Sequence, residues 1–159
     1  MKSTPDLSDE FPEALALQPI LTNYGGKLSF WGSIETLQCP DDNSLIKEQL
    51  NTEGNGKVLI VDAGGVNTVA LLGDLIAEAG EKNNWSGIVI NGYIRDVDII
   101  RTLDIGVQAL GTYPVKSQKR GLGKLGIAIS FGGLTFKPGQ YVYADNNGLL
   151  LSEIELNSP

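Results

Sequence analysis

Histidine is absent from this 159-residue sequence, and cysteine occurs once, at Cys39. Without histidine, neither a Ser-His-Asp triad nor a Cys-His pair can form, and histidine-ligated zinc sites are excluded as well. One cysteine allows no intramolecular disulfide, which is typical of a reducing cytoplasm. Any chemistry must therefore rest on carboxylates, Lys, Arg, Tyr, backbone amides or a bound cofactor. Oxygen ligands of this kind favour magnesium, manganese or calcium.

Positive charge and long apolar runs are also scarce. Lys and Arg total 12 against 19 Asp and Glu, for a net charge of -7, so phosphate backbones would be repelled. Residues 1–12 are polar and acidic and lack the basic start and apolar stretch of a secretory signal. No apolar run approaches the roughly 20 residues that span a bilayer. We expect a cytoplasmic protein that contacts neither nucleic acid nor membrane directly.

The length and the 42% content of hydrophobic residues predict one globular domain over residues 1–159. Apolar runs between turn residues predict buried strands, and apolar residues near helical spacing predict helices. The predicted helices cover residues 44–50, 69 to about 84 (one helix, or two broken near Gly73) and 97–102. The predicted strands cover residues 27–37, 57–62, 87–91, 105–110, 127–131, 141–144 and 149–152. This order, a βαβ-like centre followed by strands, predicts a layered α/β domain with two sheets.

Two strand exits offer a candidate site, because ligands in α/β folds usually lie beyond the carboxyl ends of the strands. If Gly73 opens a helix, the free amides of its first turn could bind a carboxylate. Arg95 could add a bidentate contact to a substrate oxygen, and Asp96 offers a hard oxygen ligand to a divalent cation. The candidate amides belong to Gly73, Asp74, Leu75 and Ile76.

Each of these residues also has an ordinary structural interpretation. Asp74 could be a plain helix cap, and Arg95-Asp96 a surface ion pair. The glycine pair at 64–65 lacks the G-x-G-x-x-G spacing of a nucleotide loop, and no Walker lysine follows it. The basic segment 116–124 is predicted to be a solvated loop. Its lysines lie outside the apolar runs that would favour a Schiff-base lysine.

Several segments together resemble one known family, which joins the 4-hydroxy-4-methyl-2-oxoglutarate aldolases and the regulators of ribonuclease E activity, type A. The resemblance covers about residues 5–155 and includes the order of the segments. Its aldolase members resemble one another in carrying Asp, twenty residues, then Arg-Asp, and here twenty residues separate Asp74 from Arg95-Asp96. The segments that carry the resemblance are NYGGKLSFWGSIETLQCPDDNSLIKEQL, GKVLIVDAGG, ALLGDLIAEAG, GIVINGYIRDVDII, DIGVQALGTYPVKS and FGGLTFKPGQYVYADNNGLLLS.

The resemblance implies a role for each candidate residue. Asp96 would hold a divalent metal, magnesium or manganese, and Arg95 would contact the keto or enolate oxygen. The amides of residues 73–76 would bind the carboxylate, and Asp74 would orient the water used for proton transfer. The implied reaction is cleavage of 4-hydroxy-4-methyl-2-oxoglutarate to two pyruvates, with oxaloacetate decarboxylation as a side activity of the same site.

The resemblance also implies a fold, an assembly and a second class of function. The fold would be the swivelling β/β/α sandwich, assembled as a homotrimer with sites at subunit interfaces. Longer aldolases of the family lend a neighbouring site an acidic residue from beyond the position of Pro159, so we expect weak turnover of the branched substrate here. Regulators of the family bind and inhibit ribonuclease E without cutting RNA, and this activity is the alternative to the enzyme.

Overall fold

A long strand, β3 (Phe30–Gln38), joins two differently built halves of the main sheet in the computed structural model, which describes residues 1–156. The first half of β3 pairs antiparallel with β10 (Tyr141–Asp145), and the second half pairs parallel with β4 (Val58–Asp62). Residues 157–159, the end of the predicted domain 1–159, lie outside the described residues.

The remaining helices and strands are short. The helices are α1 (Thr4–Glu10), α2 (Ser44–Leu50), α3 (Asp74–Lys82) and α4 (Val97–Ile100). The other strands are β1 (Leu15–Ala16), β2 (Thr22–Asn23), β5 (Gly87–Ile94), β6 (Gly106–Thr112), β7 (Lys124–Leu125), β8 (Ile129–Phe131), β9 (Leu134–Phe136) and β11 (Gly148–Ser152). The order of strands is β1-β11-β10-β3-β4-β5-β6-β2, with β7 also paired to β3 and with β8-β9 as a separate hairpin. Among residues 1–156, none of the helices is long and apolar enough to cross a membrane.

The parallel strands bury both of their faces, which explains why they appear as continuous apolar runs in the sequence. On β4, Leu59 and Val61 belong to the core that also contains Ile46 of α2 and Ala77 of α3. The alternate residues Val58 and Ile60 face a second core, which β8 to β11 contribute to. The layers are thus helices, a parallel sheet and a second, antiparallel layer. The predicted layered β/β/α class is confirmed.

The predicted helix over residues 69–84 is wrong in its first part, since α3 begins only at Asp74. The segment before it runs across the end of β5: the amide of Leu71 donates to the carbonyl of Tyr93 at 2.8 Å, and that of Ala70 to Val115 at 2.7 Å. Both side chains are buried by neighbouring strands and loops instead of by one helical face. The alternative, a helix that opens at Gly73, is what the structure has.

Other differences lie at element ends and in short elements. Strand β5 continues to Ile94, beyond the predicted end at residue 91, after a register shift between Ile90 and Tyr93. Helix α1 was not predicted, although Ser3 caps it by accepting the amide of Asp6, and proline stands in its first turn. The two-residue strands β1, β2 and β7 and the strand β9 were also missed, because such lengths carry no periodic signal.

Candidate functional site

A cleft of about 200 Å³ lies between the start of α3, the exit of β5 and the segment that precedes β7. Its lining includes every residue proposed from the sequence, because the exit of β5 passes beside the first turn of α3. The lining residues are Asn43, Lys47, Ala70, Gly73, Asp74, Leu75, Ile76, Arg95, Asp96, Lys116, Ser117 and Lys119. The structure therefore brings residues 73–76 and 95–96 together in one place.

Asp96 adopts a backbone conformation that non-glycine residues rarely take. Its φ of 58° and ψ of 35° lie in the left-handed region, at the residue that precedes α4. Oxygen Oδ2 of its exposed side chain accepts the backbone amide of Asp74 at 3.1 Å. Strain of this kind concentrates at functional sites, where the surrounding structure maintains it. Here it turns the Asp96 carboxylate toward the first turn of α3.

Gly73 makes this close approach possible. A Cβ atom at this position would lie 2.7 Å from Oδ2 of Asp96 and 3.7 Å from Nε of Arg95. Its backbone is extended, with φ of -124° and ψ of -171°, so any residue could adopt the conformation. The glycine is therefore required by the space that the Asp96 carboxylate occupies.

The first turn of α3 already binds carboxylates from within the protein. The amide of Asp74 donates to Asp96, and the amide of Leu75 donates to Oδ1 of Asp74 at 2.9 Å. These amides carry the positive end of the helix dipole, which stabilises anions. The amides predicted to cradle a substrate carboxylate thus have the polarity that this role needs.

Arg95 is fixed by its backbone and by the tip of its side chain. Its amide donates to the carbonyl of Leu72 at 2.9 Å, and Nη1 donates to the carbonyl of Pro114 at 3.3 Å. The half-buried guanidinium forms no ion pair with a described residue and lies along the cleft beside Gly73. Its remaining donors are available to an anionic ligand.

Sequence reasoning missed five further polar residues of the cleft: Asn43, Lys47, Lys116, Ser117 and Lys119. Loop 116–124 was predicted to be merely solvated, but it folds over the start of α2, where Nζ of Lys119 donates to Oδ1 of Asn43 at 3.1 Å. The buried Ser117 hydroxyl has no partner among the described residues. A basic segment within a chain of charge -7 was the one signal that could have indicated an anion site.

The charge of the cleft is opposite in sign to that of the chain. Arg95 and three lysines line it, against the two carboxylates of Asp74 and Asp96. The local excess of two positive charges suits a ligand with more than one carboxylate. A larger cavity of about 480 Å³, beside β2 and the β10–β11 turn, has no cationic residue in its described lining and does not suit such a ligand.

The residues present fit a divalent cation of the magnesium type. Residues 1–156 contain no cluster of three or more acidic, Cys or His ligands, so a protein-made cage is excluded within them. Magnesium commonly uses one or two carboxylates and takes its remaining oxygens from water and substrate. Asp96 suits that role, because its carboxylate is exposed at the cleft and accepts one hydrogen bond from a backbone amide.

Cys39 is excluded as a nucleophile. Its side chain is 5% exposed, and burial, with the nearby carboxylates of Asp42 and Asp62 adding to it, raises the pKa of the thiol to about 12. Reaction requires the thiolate, so this group is inert at neutral pH.

Curated relatives share the whole length of the chain. A protein of Pseudomonas fluorescens (strain Pf0-1) is 55% identical over 157 residues, which cover 98% of this chain and 96% of the relative. One from Azotobacter vinelandii (strain DJ) is 52% identical over 157 residues, covering 98% and 97%. Both are provisionally named 4-hydroxy-4-methyl-2-oxoglutarate aldolase.

Two solved structures superpose closely and carry other functional names. One is described as S-adenosylmethionine:2-dimethylmenaquinone methyltransferase from Geobacillus kaustophilus HTA426, with a TM-score of 0.95, 42% identity and coverage of 98% and 97%. The other is the RNA-processing inhibitor RraA from Thermus thermophilis, with a TM-score of 0.95, 37% identity and coverage of 99% and 96%. Since one fold carries three functional names, function must be argued from the site. The RraA-like family model, described as Aldolase/RraA, matches residues 4–151, and the chain belongs to this family.

Proposed function

We propose that the chain is a divalent-metal-dependent aldolase that cleaves 4-hydroxy-4-methyl-2-oxoglutarate to two pyruvates and decarboxylates oxaloacetate as a secondary activity. The observation that carries the proposal is the convergence of helix amides, the Arg95 guanidinium and the Asp96 carboxylate in one cationic cleft. The names of relatives at 52–55% identity support the same substrate. The carboxylates at both ends of that substrate match the excess of positive charge.

Different groups of the cleft bind different parts of the substrate. The first-turn amides of α3 take the carboxylate of the 2-keto acid end, and Arg95 donates to the keto oxygen. A magnesium or manganese ion held by Asp96 would supply Lewis-acid stabilisation of the enolate. Arg95 adds fixed positive charge at the same oxygen, where preorganised donors have large effects on rate.

Proton transfer is assigned to a water molecule that Asp74 orients. In the cleavage direction, the 4-hydroxyl loses its proton, the bond between C3 and C4 breaks, one pyruvate leaves, and the remaining enolate takes a proton to become the second pyruvate. Asp74 lies at the first turn of α3 with its carboxylate beside the cleft. With no histidine in the chain, a water held by this carboxylate is the available base.

A coupled assay of pyruvate release, with and without a chelator, tests the proposal. We expect release that stops with EDTA and returns with magnesium or manganese. Treatment with borohydride during turnover should leave the mass of the protein unchanged, which distinguishes this mechanism from a lysine Schiff base. Release that persists without any divalent ion, or no release from either substrate, contradicts the proposal.

Lys119 is assigned to the distal carboxylate of the substrate, because it lines the cleft and is held by Asn43. Changing Lys119→Ala should raise KM for 4-hydroxy-4-methyl-2-oxoglutarate about 10-fold or more, the usual size of a lost charge-assisted hydrogen bond. Exchange of the methyl protons of pyruvate, which has no distal carboxylate, should stay unchanged when followed by NMR.

Lys124→Ala is the matched control for this prediction. Lys124 belongs to the same basic segment but lies in β7, where its side chain lines a different surface depression beside Cys39. Its loss should leave unchanged both the KM for 4-hydroxy-4-methyl-2-oxoglutarate and the exchange of pyruvate methyl protons. Equal effects of the two variants would show that general charge, and not the position of Lys119, governs binding.

A second candidate function, inhibition of ribonuclease E, is favoured by the likeness to the RNA-processing inhibitor from Thermus thermophilis. The acidic chain would suit a basic partner segment. Pull-down with purified ribonuclease E should retain the protein in a salt-sensitive way if it is a regulator, and no binding would remove this candidate.

We also propose a homotrimer, which the exposed apolar Leu75 and Val115 beside the cleft support.

A further inference from the structure

Asp42 is a fully buried carboxylate with an unusually complete set of donors. It precedes α2, and its side chain is 0% exposed. Oxygen Oδ1 accepts the amide and the hydroxyl of Ser44, at 2.8 and 2.5 Å. Oxygen Oδ2 accepts the amides of Arg120 and Leu122, at 2.6 and 3.3 Å. One side chain thus holds two segments that lie 78 residues apart in sequence.

The contacts of Asp42 fix the backbone of the basic loop. The Ser44 hydroxyl, which donates to Asp42, itself accepts the amide of Gly121 at 3.0 Å. Three successive amides, those of residues 120, 121 and 122, are therefore held by Asp42 and Ser44. Lys119 immediately precedes these amides, so the direction of its side chain depends on where they are fixed.

Asn43 links this arrangement to the cleft. It precedes the first residue of α2 but makes no capping hydrogen bond with its side chain. Asp42 takes the amide of Ser44 instead, and Oδ1 of Asn43 is free to accept Nζ of Lys119. Asn43 is 6% exposed, so its side chain is held while the lysine reaches into the cleft.

The Asp42 carboxylate stays ionised at every pH at which the protein would be assayed. Burial alone would raise the pKa of Asp42, but hydrogen bonds from Ser44, Arg120 and Leu122 outweigh it and lower the pKa to about 2. A carboxylate only accepts hydrogen bonds and can serve all of these donors at once. Asparagine has one acceptor oxygen, and its NH2 group would oppose at least one of the amides.

We propose that Asp42 is a positioning residue for substrate specificity: through the loop 116–122 and Asn43 it places Lys119 where the distal carboxylate of a dicarboxylic 2-keto acid binds. The inference rests on the proposed function for the identity of the ligand. It assigns Asp42 no contact with the substrate, since its side chain is enclosed by the loop. The keto acid end of the cleft, built from α3 and the exit of β5, does not depend on it.

Asp42→Asn tests the proposal, with Asp41→Asn as the matched control. Asp41 also contacts Arg120, at 2.7 Å, but through half-exposed side chains. Asp42→Asn should raise KM for 4-hydroxy-4-methyl-2-oxoglutarate about 10-fold, as loss of the Lys119 contact would. Methyl-proton exchange of pyruvate should change by no more than about twofold, and Asp41→Asn should change neither value. An equal loss for both substrates overturns the proposal.

A double-mutant cycle shows whether Asp42 acts through Lys119. In a Lys119→Ala background, Asp42→Asn should add no further rise in KM, because the group that it positions is gone. An additive loss would show that Asp42 acts independently of Lys119 and would overturn the inference. If circular dichroism shows that Asp42→Asn does not fold, Ser44→Ala takes the place of Asp42→Asn in the cycle. Ser44→Ala removes the contact with the amide of Gly121.

Two measurements decide the inference even if the wild-type protein releases no pyruvate, which would refute the proposed function separately. Asp42→Asn should speed amide hydrogen exchange at residues 120–122 and should raise the labelling of Lys119 by an amine reagent, while Asp41→Asn should not. Unchanged exchange and labelling in Asp42→Asn would overturn the inference, whatever the substrate is.

Discussion

Asp96→Asn should lower pyruvate release by about 100-fold or more and should weaken binding of Mn²⁺ to the same protein. The substitution removes the negative charge of the carboxylate that we propose as the ligand of the cation. It keeps the side-chain oxygen that accepts the amide of Asp74, and asparagine tolerates the left-handed backbone at this position. Loss of function should therefore occur without loss of the fold.

Measurement of Mn²⁺ binding by calorimetry separates this loss from an effect on turnover alone. The matched control is Asp98→Asn, two residues later, where the side chain is 94% exposed and forms only a surface ion pair with Arg101. This control should keep both the affinity for the cation and the rate of release. Wild-type affinity for Mn²⁺ in Asp96→Asn would contradict the assignment of the cation to this residue.

The carboxyl ends of the parallel strands could be predicted from the sequence, because the signals that mark them lie in neighbouring residues. The run KVLIVD has no polar residue between its ends, as a strand buried on both faces requires, and it forms β4. Glycine before Asp74 could likewise indicate the start of a helix. These local signals were enough to place residues 73–76 and 95–96 at one end of the sheet.

The other side of the cleft could not be predicted, because long-range contacts build it. Lys119 lines the cleft from a loop whose next amides, those of residues 120 and 122, are held by Asp42, far away in sequence. The helix predicted for the segment before Gly73 was wrong for a related reason. Its apolar residues are buried by the exit of β5 and by the loop at Val115, so the spacing resembles a helix without forming one. The spacing of apolar residues indicates that they are buried, but it does not indicate which element buries them.

Gly73→Ala should abolish most of the activity while leaving the protein folded. The added Cβ would lie 2.7 Å from Oδ2 of Asp96, closer than two such atoms can approach. Because that oxygen is the end of an exposed side chain, the carboxylate can move away, and the backbone need not. The displaced carboxylate loses the amide of Asp74, and Arg95, 3.7 Å away through Nε, is pushed as well. We expect pyruvate release to fall by about 10- to 100-fold, the size of effect produced by disturbing the support of a metal ligand.

The stability of Gly73→Ala should change little, because two small effects oppose each other. Alanine caps a helix less well than glycine, but it reduces the freedom of the unfolded chain by about 0.4–1 kcal/mol, and the extended backbone at residue 73 accepts it. Thermal unfolding measures this, and calorimetry with Mn²⁺ measures the site. In an Asp96→Asn background the substitution should add no further loss of cation affinity, because it acts through that carboxylate. Full activity and cation affinity in Gly73→Ala would show that the close contact between residues 73 and 96 has no part in catalysis.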